Sequence, residues 1–259
     1  VKYEVVAEAY RDLEQASGRL ILIDRLAALL VQTPEELLPN VCYLCQGLVA
    51  PEFAAVDLGL AEKLALRAVA TATGVEPEEV VAALREAGDL GQAAEQLLAA
   101  TAADRRPSLE VAAVVDTLHE IARAEGSGSQ GRKLELLAGL LALATPLEAR
   151  YLLRLVTGNL RLGIGTPTIL DALAQVYTGN RKDRPVLERA YNICCDLGGH
   201  VSLRRAGRGE GAAGAAWQPG SSHVGSAAVR RRRDSRQARR AVHGRVQVRR
   251  HAGTGTPHR

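Results

Sequence analysis

The chain has 259 residues, 47% of them apolar, enough to bury a substantial core in one or two domains. Its net charge of +4 hides two unlike parts: residues 203–259 carry 14 Arg and no Lys against 2 acidic residues, which leaves 19 basic and 27 acidic groups over residues 1–202. The basic balance therefore belongs to the tail and gives no support to nucleic-acid binding by the body, while the lack of a run of about 20 apolar residues or a signal peptide excludes a membrane partner and points to a soluble, cytoplasmic protein.

Val5, Val6, Ala9, Tyr10 and Leu13 recur at helical spacing and predict a first helix. A small polar turn, E-Q-A-S-G-R at 14–19, follows it. After the next helix, T-P-E-E at 33–36 reads as a capping box of Thr33 with Glu36, with Pro34 at the first helical position. Gly47, L-G-L at 58–60 and a stop at Gly74 complete the unit. Residues 77–100 read as a helical connector, with a stop at Gly88 and a third box of Asp89 with Gln92. Residues 101–107 read as a short polar link.

The same order then returns roughly 104–112 residues later, too long a period for a solenoid. Val111, Val114, Val115, Leu118 and Ile121 predict a helix. A small-residue turn at 122–129 precedes Arg132 and Lys133, Thr145 with Glu148 forms a box with Pro146, and Gly158 leads to L-G-I at 162–164. Thr166-Pro167 opens a further helix that stops at Gly179. The expectation is an all-α, pseudo-two-fold duplicated domain of roughly eleven helices over residues 1–199. Repeat one covers about 1–74, the connector 75–107 and repeat two about 108–198. A paired surface of this kind suits a partner that is itself two-fold, and duplex nucleic acid is the obvious one.

Residues 200–259 have one Leu, no Ile, Phe or Tyr, and the only Trp, Trp217. Such a segment buries too little apolar surface to offset its ordering entropy, so disorder is expected. It reads either as a basic arm, with Arg230 to Arg233 on phosphates, or as a GC-rich gene out of frame. The absence of Met, with Val at position 1, is expected of a non-AUG start or a fragment. Cys42 and Cys45 form C-x-x-C without two further ligands, and Cys194-Cys195 follow no zinc spacing, so the cysteines read as apolar positions in a reducing compartment and no metal site is expected.

Residues 126–133 nearly match a phosphate loop, but Arg132 stands at the lysine position, Lys133 at the hydroxyl position, and a helix precedes it; nucleotide hydrolysis is not expected. A small-residue turn opening a helix still presents backbone N–H groups to a phosphate, with a flexible surface loop the alternative reading. Gly163-Ile164-Gly165 beside Arg161 offers a second close backbone approach, with tight helix packing the structural alternative. His119 and His200 read as solvated or locally bonded, and no catalytic arrangement stands out.

The succession G-S-G-S-Q-G-R-K at 126–133, T-P-L-E-A-R-Y at 145–151, G-N-L-R-L-G-I-G at 158–165 and R-A-Y-N at 189–192 resembles the N-terminal DNA-binding domain of ATP-dependent DNA ligases, the archaeal type above all. The resemblance covers about residues 2–198. It implies a helical domain on the minor-groove side of nicked duplex DNA that helps a catalytic core encircle the nick, in replication, repair and recombination. That core uses ATP and magnesium through the lysine of a K-x-D-G motif. Lys2, Lys63, Lys133 and Lys182 are the only lysines, and none is followed by x-Asp-Gly. This chain is therefore expected to bind DNA as a monomer, near the nucleoid, without cofactor and without ligating. A sliding clamp is the further partner implied for the full-length enzyme.

Carried over by position, the DNA-contact residues are Arg19, Ser127, Ser129, Arg132, Lys133, Arg161, Gly163 and Gly165. Copy two holds more of the cations, and Asp57 precedes the L-G-L of copy one, so the grip is expected to be asymmetric. The alternative is an all-α protein-interaction scaffold with a basic nucleic-acid-binding tail.

Overall fold

The computed structural model describes residues 1–101, 108–194 and 196. Among them are eleven α-helices and no strand: α1 (Tyr3–Gln15), α2 (Arg19–Gln32), α3 (Leu38–Cys45), α4 (Glu62–Thr73), α5 (Pro77–Ala87), α6 (Leu90–Thr101), α7 (Val111–Arg123), α8 (Ser129–Leu143), α9 (Pro146–Val156), α10 (Thr166–Thr178) and α11 (Arg184–Cys194). Short 3₁₀ turns lie at Glu52–Ala54 and Arg181–Asp183. None of these helices is long and apolar enough to cross a membrane. The expected disorder of residues 200–259, the link at 102–107, His200 and Cys195 lie outside the described residues.

α1 and α7 form for the same reason. Each is 13 residues long and aligns one apolar stripe at i, i+3, i+4 and i+7. In α7 the stripe is Val111, Val114, Val115, Leu118 and Ile121, as the spacing predicts. In α1 it is Tyr3, Val6, Ala7, Tyr10 and Leu13. Val5 and Ala9 are only half-buried, because the two large tyrosine rings set the centre of the face.

The duplication has a visible axis. Tyr3 N–H donates to the Leu109 carbonyl (2.8 Å), and Val111 N–H donates to the Val1 carbonyl (3.0 Å). These two bonds exchange when each residue is replaced by its counterpart 108 positions away. Lys2 and Glu110, the residues just before α1 and α7, face each other in an isolated antiparallel bridge. Farther from this axis the copies exchange helices: α4 of the first packs on α8 of the second, and α10 of the second packs on α2 of the first. Neither half then holds a complete core alone.

Helix ends show where the repeat is faithful. Thr145 accepts from Glu148 N–H (3.3 Å), while Glu148 Oε2 accepts from Thr145 N–H (2.8 Å), a complete capping box. The expected box at Thr33 does not form. Thr33 is the buried C-cap of α2 and its hydroxyl donates to the Leu29 carbonyl (2.9 Å). Residues 34–37 make a separate turn, and α3 begins only at Leu38. Pro39 explains the difference: a helix starting at Pro34 would need an N–H at position 39 to reach the Glu35 carbonyl, and proline has none. At the third box, Asp89 Oδ1 accepts from Gln92 N–H (2.8 Å). Gly74, Gly88 and Gly179 close α4, α5 and α10 in left-handed conformation, at the stops read from the sequence.

The connector is two helices, α5 and α6, and α6 docks on α9. A Cβ at Gly91 would lie 2.5 Å from the Arg150 carbonyl oxygen and 3.0 Å from Arg154 Cγ, so only glycine lets the two backbones approach this closely. Beside this crossing, Glu14 accepts from Arg150 (3.0 Å), Arg154 and the Tyr151 hydroxyl (2.9 Å). Arg150 also reaches Glu95 (3.0 Å) and Arg154 reaches Asp89 (3.0 Å). The Tyr151 ring meets Tyr10 edge-on at 5.4 Å, tying α9 to α1. Cys42 and Cys45 are core residues of α3. His119 bonds the Val49 carbonyl (2.8 Å), 70 positions away, in place of the solvent or local partner that the sequence suggested.

Candidate nucleic-acid interface

Among the helices that begin without a side-chain cap and without an acidic residue in the first turn, α2 and α8 also carry cations there. α2 starts at Gly18 (φ 104°) and α8 at Gly128 (φ 86°), and these glycines hold corresponding places in the two copies. A helix start concentrates positive partial charge and unpaired N–H groups, so acids are favoured there and bases disfavoured. Here the sequence places Arg19 at the start of α2, and Arg132 and Lys133 at the start of α8. Cations at the positive end of a helix cost stability unless an anion joins them.

The exchange of helices gives each of these starts an L-G-[LI] turn from the other copy. Lys133, in α8, donates to the Leu58 carbonyl (2.7 Å) of the first copy. The turn of the second copy, Arg161 to Gly163, lines a cleft of about 440 Å³ with Leu13, Ala16 and Leu22 around the α1–α2 connection. The eight residues carried over from the sequence therefore fall into two groups. Arg161, Gly163 and Gly165 lie along the entry to α10, the helix on which Arg19 pairs with Asp171; Ser127, Ser129, Arg132 and Lys133 gather at the start of α8.

Within the first group, Arg161 is exposed, Gly163 turns the chain with φ 69°, and Gly165 is the uncapped start of α10. Arg19 pairs with Asp171 (2.8 Å), yet its side chain keeps 57% exposure. Asp171 itself is nearly buried and also lies 3.6 Å from Arg184. It pins one side of the Arg19 guanidinium and leaves the rest facing solvent. The sequence reading missed Asp171. Its signal is a carboxylate inside the apolar run I-L-D-A-L-A at 169–174, since a buried acid in such a run requires a cationic partner.

In the second group, Ser127 is exposed and Ser129 half-exposed on the turn that enters α8. Arg132 is exposed and makes two long surface pairs, with Glu120 (3.4 Å) and Glu135 (3.7 Å). Pairs of this kind contribute little and are readily exchanged for another anion. Lys133 is different: only 7% exposed, with its ammonium committed to the Leu58 carbonyl.

Residues 2–174 match the family model described as DNA ligase N terminus. The chain is 43% identical over 198 residues to a probable DNA ligase of Aquifex aeolicus, covering 76% of this chain and 34% of that protein. It is 42% identical over 200 residues to a DNA ligase of Cenarchaeum symbiosum and 44% identical over 205 residues to DNA ligase 2 of Thermofilum pendens, with the same coverage. The chain thus spans about a third of the length of the curated relatives it matches.

Proposed function

Because this chain belongs to the DNA ligase N-terminal family, we propose that it binds nicked duplex DNA through the phosphate backbone on the minor-groove side, and that these 259 residues do so without sealing the nick. The observation that carries the reading is the pairing of each bare, cation-bearing helix start with the L-G-[LI] turn of the other copy. Two backbone sites related by a pseudo-two-fold axis complement a duplex, whose strands are also related by two-fold axes. Most contacts are to phosphate and sugar, so sequence preference is small.

Residues 1–202 are net acidic, and affinity comes from the local cations Arg19, Arg132 and Arg161, with Ser127, Ser129, Gly163 and Gly165 offering hydroxyl and backbone groups. With about three phosphates neutralised by these cations, log K falls against log salt with a slope of about −3.

The residues present do not fit an adenylation site. No lysine stands in K-x-D-G, and among the described residues no group of three or more His, Cys, Asp or Glu is placed to hold a metal. No step through ATP or magnesium is assigned to this chain; those belong to the full-length enzyme proposed from the family.

A mobility shift on nicked duplex with a chain ending at residue 199 tests the binding, wild type against Arg132→Ala/Arg161→Ala. Wild type is expected to shift the DNA and the variant to shift it less. Failure of both to bind favours the protein-interaction scaffold. Incubation with labelled ATP tests the second part, and covalent labelling of the chain overturns it.

A further inference from the structure

Lys133 does not behave like its neighbour. Arg132 lies on the surface, whereas Lys133 is buried and spends its ammonium on the Leu58 carbonyl at 2.7 Å, in the other copy. A buried cation needs such a partner, and the one it has is backbone, not a carboxylate.

The pseudo-symmetry shows what this substitutes for. Position 133 corresponds to Ile23 in α2, an apolar residue that is 2% exposed. The two L-G-[LI] turns differ in the opposite sense: Arg161 precedes L-G-I, and Asp57 holds its place before L-G-L. By correspondence, one pair joins an apolar residue with a turn that carries its own cation. The other joins a cation with a turn that carries an anion. The pair of changes keeps the copy-one turn close to neutral.

Geometry fixes the same turn twice. Asp57 Oδ1 accepts from Gly59 N–H (2.8 Å), closing the turn locally. Gly59 adopts φ 57°, and a Cβ there would lie 2.8 Å from Lys133 Nζ. Glycine is required both for the backbone conformation and for the lysine to reach the carbonyl beneath it.

We propose that Lys133 is a positioning residue of the DNA-binding face, a strut crossing between the copies to hold turn 57–60 and offset the Asp57 charge, and not itself a phosphate ligand. This rests on the DNA-binding reading and sharpens it: the phosphate-facing cation of α8 is Arg132, and turn 57–60 meets the duplex as exposed, ordered backbone.

The test is a titration of labelled nicked duplex with the full chain over a salt series, comparing wild type, Lys133→Met, Gly59→Ala and Arg161→Ala. The arginine-rich tail is common to all four, so differences in slope report on the body. Arg161→Ala, a phosphate contact, lowers the magnitude of the salt slope by about one. Lys133→Met and Gly59→Ala each weaken binding severalfold at the wild-type slope. Gly59→Ala displaces the strut while keeping its charge, so it carries the test alone if Lys133→Met fails to fold. A slope lowered by Lys133→Met as much as by Arg161→Ala overturns the proposal, and so does wild-type affinity in Gly59→Ala. Arg161→Ala separates the two failures. If it too matches wild type, the DNA-binding reading fails; if it lowers the slope while Gly59→Ala matches wild type, only the strut fails.

Discussion

Replacing Gly91 by alanine puts opposing effects on one position. Gly91 lies in the first turn of α6, where alanine in place of glycine gains up to about 1 kcal/mol of helix propensity. Against this, the new methyl would stand 2.5 Å from the Arg150 carbonyl oxygen and 3.0 Å from both Arg154 Cγ and Asp89 Oδ1. The nearest atom is backbone, so no side-chain rotation relieves the clash; α6 must withdraw from α9. Overpacking of this kind costs about 1–3 kcal/mol, and a rigid neighbour places it toward the upper end. The net expectation is a destabilisation of about 2 kcal/mol once the propensity gain of about 1 kcal/mol is subtracted.

Gly139 supplies the control. It sits in the exposed interior of α8 with nothing within 4 Å of a built Cβ, so Gly139→Ala stabilises by about 1 kcal/mol. Urea unfolding of the full chain followed by far-UV circular dichroism measures both. A Gly91→Ala variant as stable as Gly139→Ala would show that α6 and α9 do not meet at Gly91.

Burial lifts the Glu148 carboxyl above its ordinary value of 4.5, and its bonds from Thr145, which pull the other way, do not cancel this. The native state therefore holds that proton at pH values where the unfolded chain has lost it. Stability is expected to fall as pH rises from about 4.5 through the raised value, and Glu148→Gln, which keeps a capping side chain, flattens that decline. Equal stability–pH curves for variant and wild type would contradict it. Burial also pushes the Cys45 thiol up to about 12 and the Cys42 thiol well above its usual range. Iodoacetamide at neutral pH is expected to leave both unmodified in native protein and to label both in guanidinium, as read by peptide mass mapping. Labelling of either at the unfolded rate in native protein would show that α3 opens.

Elements whose causes are local could be read from the chain alone. A stripe at helical spacing, the box of Thr145 with Glu148, the proline after Thr166 and the stops at Gly74, Gly88 and Gly179 act within one or two turns, so they read directly. The box wrongly expected at Thr33 was also legible, since Pro39 stands five residues into that supposed helix. The repeat revealed the pseudo-two-fold, because duplicated punctuation survives where side chains diverge.

Which copy completes which depends on packing between residues far apart in the chain. Reciprocal packing of α4 on α8 and α10 on α2, the closeness of α6 to α9 at Gly91 and the hold of Asp171 on Arg19 all join residues more than 50 positions apart. Lys133 shows the limit most plainly. Beside Arg132 in a basic pair it reads as a phosphate contact, and a single turn of helix geometry directs it instead into the other copy. Neighbours on a helix point about 100° apart, so sequence adjacency sets charge but not the direction it faces.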